Sequence, residues 1–95
     1  MNDKAHLRDR AIRESLEKAF APTLLEVEDD SARHVGHAGA APGGGTHFNV
    51  RVVSAAFIGR SLVERHRMVN DALAEEFATG LHALSIVAKT PDETA

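Results

Sequence analysis

The chain has no cysteine, no tryptophan and no tyrosine, and only four phenylalanines among 95 residues. The missing cysteines exclude a disulfide framework and any thiolate chemistry supplied by this chain itself. The scarcity of aromatics leaves a core of Leu, Val, Ile and Ala, with Phe20, Phe48, Phe57 and Phe77 as its large pieces. Long apolar runs are also absent: nowhere do about 18 consecutive apolar residues occur, the length a membrane-spanning helix needs. Met1 to Arg13 is charged and polar and holds no secretory h-region, and Asp3, Asp9, Glu14 and Glu17 are out of place in a transit peptide. The expectation is a cytoplasmic protein with no membrane contact. An excess of positive charge is lacking as well. Eleven Lys and Arg stand against fourteen Asp and Glu, a net charge of −3, which argues against bulk attraction to nucleic acid.

What is present fits one small domain spanning residues 1–95. A chain of this size buries about 60–65% of its unfolded surface, so its stability should be modest. Ala5, Leu7, Ile12, Leu16 and Phe20 recur near helical spacing and predict an amphipathic helix over 5–20, stopped by Pro22. Leu24 to Glu28 alternate loosely and predict a short strand. Residues 30–45 hold five of the seven glycines, one proline and His34 and His37. Such a stretch predicts a flexible loop, and loops of this length in compact domains are often functional. Residues 46–54 alternate cleanly: Phe48, Val50 and Val52 face one way, His47, Asn49 and Arg51 the other. This predicts a half-buried strand that forms a hairpin with the preceding one.

After a short turn or helical fragment broken at Gly59, Ser61 and Glu64 form a capping box for the next helix. Leu62, His66, Val69, Leu73 and Phe77 then step by three and four, which predicts one continuous helix, the longest in the chain, ended by Gly80. Residues 81–89 predict a third strand, and Pro91 opens a closing helical turn. Helices on one face of a three-stranded sheet follow from this order.

The six histidines are the chain's most chemical feature. His6 reads as an exposed residue near the N-terminus. His34 and His37 can swing onto a metal or a partner, but two ligands do not fill a zinc site. His47 can extend a histidine cluster but reads first as a solvated strand residue. His66, on the apolar stripe, reads as a packed structural histidine, and Arg65 and Arg67 beside it read as helix-surface charges or as binders of acidic groups. His82 stands at a strand end, where a rigid element can place a side chain within reach of solvent; by pattern alone it reads equally as a half-buried residue bonding a backbone carbonyl. No nucleophile elbow, no phosphate loop and no catalytic carboxylate pair is recognisable, so no enzymatic activity is expected.

Taken in order, Leu25-Glu26-Val27 with Asp30-Ser31, the His34 to His37 loop, Thr46-His47-Phe48, Phe57-x-Gly59, Arg65-His66-Arg67-Met68-Val69, His82-Ala83-Leu84 and Thr90-Pro91 resemble the BolA family over about residues 25–91. The resemblance implies an α+β fold like the class II KH domain (αββααβ), with a three-stranded mixed sheet and helices on one face. It also implies a monothiol glutaredoxin partner with a Cys-Gly-Phe-Ser motif, and a [2Fe–2S] cluster shared with that partner, glutathione supplying a further thiol. In the family the position of His82 is the constant histidine ligand. His34 aligns with the second, loop ligand, and His37 is its nearby alternative.

This chain can offer imidazoles but no thiolate, hence only half of a cluster site, and no cofactor bound tightly by itself. Imidazole ligation raises a cluster's potential and weakens as pH falls through the histidine pKa. A rival reading, also implied by the resemblance, is a transcriptional regulator that binds DNA through Gly59, Arg60, Arg65 and Arg67. A weak homodimer is compatible with either.

Overall fold

The computed structural model describes residues 3–31 and 45–94. Helix α1, Asp3–Phe20, places Ile12, Leu16 and Phe20 in the core, four residues apart along one stripe. Pro22 cannot continue a helix. The chain turns out of it at Ala21, which takes a left-handed φ of 43° while its amide still bonds the Glu17 carbonyl at 3.0 Å.

Three strands form one sheet in the order β1-β2-β3. Strand β1, Leu24–Asp29, runs antiparallel to β2, His47–Val53, with Val27 opposite Val50. Strand β3, Ala83–Lys89, runs parallel to β2, with Phe48 opposite Leu84. The sheet is therefore mixed, and the expected α+β architecture and hairpin are present. The central strand carries the clearest alternation in the sequence because one of its faces lies under the helices. Phe48, Val50 and Val52 are buried there with Val27 and Ala88. On the open face the pairing is polar: Asn49 Nδ2 donates to Glu28 Oε1 at 2.9 Å, and Arg51 lies 3.7 Å from Glu26.

From β2 the chain passes through a 3-10 turn, Ala55–Phe57, that puts Phe57 into the core against Phe20, their ring centroids 5.0 Å apart. Helix α2, Leu62–Ala72, starts with the expected capping box: Ser61 Oγ accepts from the Glu64 amide and Glu64 Oε1 accepts from the Ser61 amide. Two expectations for this region are corrected. The long helix is interrupted at Leu73 (φ −107°, ψ 17°), and a short helix α3, Ala74–Ala78, follows, so α1 is the longest helix among the described residues. The buried stripe of α2 also differs. It runs through Arg65, Val69 and Leu73, whereas Leu62 is 66% exposed and His66 faces solvent. The cause is the arginine. Its stem packs inward while its guanidinium finds partners at the sheet edge, and this rotates the helix away from the face that hydropathy alone selects.

Candidate functional site at the histidine end of the sheet

Because β2 and β3 are parallel, the residues that lead into them meet at one end of the sheet. His47 stands opposite Ala83, and His82 lies directly before β3. The Thr46 carbonyl accepts from both the His82 amide, at 2.7 Å, and the Ala83 amide, at 3.1 Å. The backbone of His82 is thus held by a strand end, while its side chain is exposed. Its imidazole rests beside that of His47, with ring centroids 5.3 Å apart and planes inclined at 48°.

His47 is 6% exposed, which corrects the expectation of a solvated residue. Its Nδ1 lies 2.9 Å from Thr46 Oγ1, so the tautomer of the ring decides which of the two carries the shared proton. Beneath this pair Ser31 Oγ, itself buried, accepts from the Thr46 and His47 amides, each at 3.0 Å. Asp29 closes the arrangement: its Oδ1 accepts from the Ser31 amide at 2.8 Å and its Oδ2 from the Gly45 amide at 3.2 Å. Gly45 has φ 79°, a conformation that favours glycine. One carboxylate therefore ties together the last residue before the 32–44 stretch and the first residue after it. His34 and His37 fall in that stretch and lie outside the described residues.

A second clamp holds the other side of the site. Arg8 of α1 donates from Nη1 to Glu76 Oε1 (3.0 Å) and Thr79 Oγ1 (2.8 Å), and from Nη2 to the Thr79 carbonyl (2.8 Å). A cation at the carbonyl end of a helical segment is electrostatically well placed. The chain then turns at Gly80, φ 131°, and buries Leu81 before reaching His82. A Cβ at Gly80 would stand 3.0 Å from Arg8 Nη2, so arginine and glycine are fitted to one another.

The remaining candidates lie elsewhere. Gly59 (φ 80°), Arg60 and Arg67 are exposed around the start of α2, with Arg60 Nη1 3.6 Å from Glu64 Oε2. Arg65 is not a helix-surface charge. It is 7% exposed and donates to the Arg60 and Ala88 carbonyls and to both carboxylate oxygens of Glu93. Its hydrogen bonds, with that from the Thr90 amide, hold the Glu93 carboxyl down at about 2. Arg65 therefore does not join an exposed basic set. His66, expected to be packed, is exposed because Arg65 takes the inward position, and His6 is exposed as expected.

The arrangement presents one accessible imidazole on a rigid support, backed by a second, buried one. Among the described residues no three His, Cys, Asp or Glu side chains gather to hold a metal ion. An exposed imidazole of this kind can serve as one ligand of a metal centre. Sequence reasoning named His82 as a candidate and took His47 first as solvated; it did not single out Ser31 or Arg8 as supports. The available signal was positional: Thr46-His47 directly precedes the apolar alternation of β2, as His82 precedes that of β3. Among the described residues no helix is long and apolar enough to cross a membrane.

Comparison with known proteins shows what the chain as a whole is similar to. Residues 16–93 match the family model described as BolA-like protein. The chain is 58% identical over 90 residues to SufE-like protein 1, chloroplastic/mitochondrial, of Arabidopsis thaliana, covering 90% of this chain and 24% of that protein. It is 50% identical over 97 residues to protein BOLA1, chloroplastic, of the same plant, covering 98% and 61%. The solved BolA domain of SufE1 from Arabidopsis thaliana superposes with a TM-score of 0.82 at 58% identity, covering 90% of this chain and 94% of that one. The chain spans between about a quarter and three fifths of the length of these curated relatives.

Proposed function

The chain belongs to the BolA-like protein family, and from that premise we propose that it is a binding adaptor and not an enzyme, pairing with a monothiol glutaredoxin of the Cys-Gly-Phe-Ser type to handle a shared [2Fe–2S] cluster. One observation carries the reading. His82 offers an exposed imidazole from a backbone fixed by two hydrogen bonds to Thr46, in a chain that has no cysteine. A [2Fe–2S] cluster takes four ligands, and histidine can replace cysteine on one iron. This chain supplies His82, with His34 or His37 as the second donor. The glutaredoxin cysteine and glutathione supply the thiolates. The tie that Asp29 makes between Ser31 and Gly45 supports the choice of loop donors, since the two residues that flank the 32–44 stretch are held together at the His82 end of the sheet. A reducing compartment suits the pairing. The cytoplasm meets that need, as does the interior of the organelles named for the two plant relatives.

The test is to mix the protein with such a glutaredoxin, iron, sulfide and glutathione, and to record visible absorption and circular dichroism. His82→Ala should alter the heterodimer's cluster spectrum and make the cluster more labile. An unchanged spectrum and lability overturn the assignment. His34→Ala and His37→Ala, made separately, identify the loop donor. The DNA-binding reading has less support, because Arg65 is bonded to Glu93 and only Gly59, Arg60 and Arg67 of its set are exposed. A gel shift weakened by Arg60→Ala and Arg67→Ala at physiological salt would favour it.

A further inference from the structure

The far end of β3 carries a second feature that the histidine site does not use. Strand β3 is an edge of the sheet. The Lys89 carbonyl points toward β2, where it accepts from the Ser54 amide at 2.9 Å. The Ala88 carbonyl points the opposite way, to Arg65 Nη1 at 3.1 Å. Backbone groups alternate along a strand, so the amides and carbonyls of Leu84 and Ile86 also point away from β2. Among the described residues they meet no neighbouring strand. Beside this edge lies a groove of about 350 Å³, walled by Leu62 and His66 of α2, floored by Ile86, Val87 and Ala88, and flanked by Lys89. Leu62 and Val87 leave 66% and 44% of their surface exposed. The Arg65–Glu93 pair, at 2.6 Å, closes one end.

We propose that this groove is a docking site for an extended, acidic peptide segment that adds to β3 as a fourth strand. Three observations select that occupant. The open row of strand amides and carbonyls is matched by another extended backbone. The apolar wall and floor accept small branched side chains at alternate positions. Lys89, the cation of the groove without an ion pair among the described residues, calls for a carboxylate, because both oxygens of Glu93 are held by Arg65. A second copy of the chain does not meet the third condition. Antiparallel pairing of two β3 strands about Ile86 sets Lys89 opposite Ala83, where no acid stands. A single strand of nucleic acid is disfavoured too, since the groove has one such cation and no aromatic platform. The groove lies about five residues along β3 from His82, roughly 17 Å, and the proposal does not rest on the glutaredoxin reading.

The experiment titrates hexapeptides of alternating Val and Thr, ending in Asp, Thr or Lys, into the ¹⁵N-labelled chain. The Asp peptide should shift the Leu84, Ile86 and Ala88 amides and bind about tenfold more tightly than the Lys peptide. Methylating its alternate backbone nitrogens should abolish the shifts. Leu62→Asp, at an exposed first-turn position, should keep the fold and weaken binding about tenfold. Lys89→Glu should invert the Asp-over-Lys preference, and it remains decisive if the first variant misfolds. His82→Ala should leave peptide binding unchanged, which separates this site from the proposed cluster ligand. Four results overturn the proposal: no shift of these amides at millimolar peptide, equal binding of the Asp and Lys peptides, concentration-dependent shifts of β3 without peptide, or shifts produced only by oligothymidylate.

Discussion

Replacing Ser31 by alanine tests how the histidine end of the sheet is held. Ser31 is 4% exposed, and its Oγ accepts from two amides, those of Thr46 and His47, each at 3.0 Å. Alanine fits the space and keeps the backbone, so the change removes little except the acceptor. Each buried donor left without a partner costs about 1–3 kcal/mol. Local relaxation and water entry will repair part of the loss, and a total of about 2–4 kcal/mol is expected. A domain of this length has roughly 5–14 kcal/mol of stability in all, so the variant should lose a large share and melt about 10–25 °C lower. Urea unfolding followed by far-UV circular dichroism measures the change, with the m-value showing whether the transition stays two-state. Ser85→Ala, on the exposed sheet face, is the control and should stay within about 0.5 kcal/mol. A Ser31→Ala loss below about 1 kcal/mol at unchanged m would refute the claim that this hydroxyl holds the strand start.

Other parts of the structure give sharper or narrower expectations. Phe57→Ala removes a fully buried ring that packs on Phe20 and should cost about 3–5 kcal/mol in the same urea assay. Gly80→Ala places a Cβ against Arg8 at φ 131° and should cost about 1–3 kcal/mol, with Arg8→Met relieving part of that strain. Glu93→Gln should flatten the acid side of the stability profile. The folded Glu93 carboxyl sits at about 2, below its ordinary 4.5, so its contribution is fully present above about 4.5 and is lost as pH falls toward 2. The wild type should therefore lose more stability than the variant across that window in thermal melts. Parallel curves would show that the Arg65–Glu93 pair is not what holds the closing turn to α2.

The elements differ in how plainly their residues announced them. Strand β2 was legible because it lies at the centre of the sheet and is covered on one face, so its alternation is forced by burial. The capping box at Ser61 and the stop at Pro22 were legible because each depends only on neighbouring residues. The face of α2 was misread for the opposite reason. Arg65 turns inward to a carboxylate 28 residues away and to the Ala88 carbonyl, and no local pattern signals a partner at that distance. His66 was misread with it, since the two readings share one helix rotation. The break at Leu73 carries no Gly or Pro, and beyond it Glu76 of α3 bonds Arg8 of α1, a contact no local pattern signals. At the site, His82 stood out through the resemblance and its place at a strand end. The burial of His47 was hidden in a strand whose alternation set it on the polar face, because the end of β2 is covered by Ser31 and the β3 entry.

The central claim, that His82 is a ligand in a cluster shared with a glutaredoxin, is tested most directly by pulsed electron-nuclear spectroscopy of the reduced heterodimer. With ¹⁵N-histidine incorporated only into this chain, a ¹⁵N hyperfine coupling of a metal-bound imidazole is expected, and His82→Ala should remove it. A cluster with no nitrogen coupling from this chain, or one whose coupling survives in His82→Ala, would contradict the account.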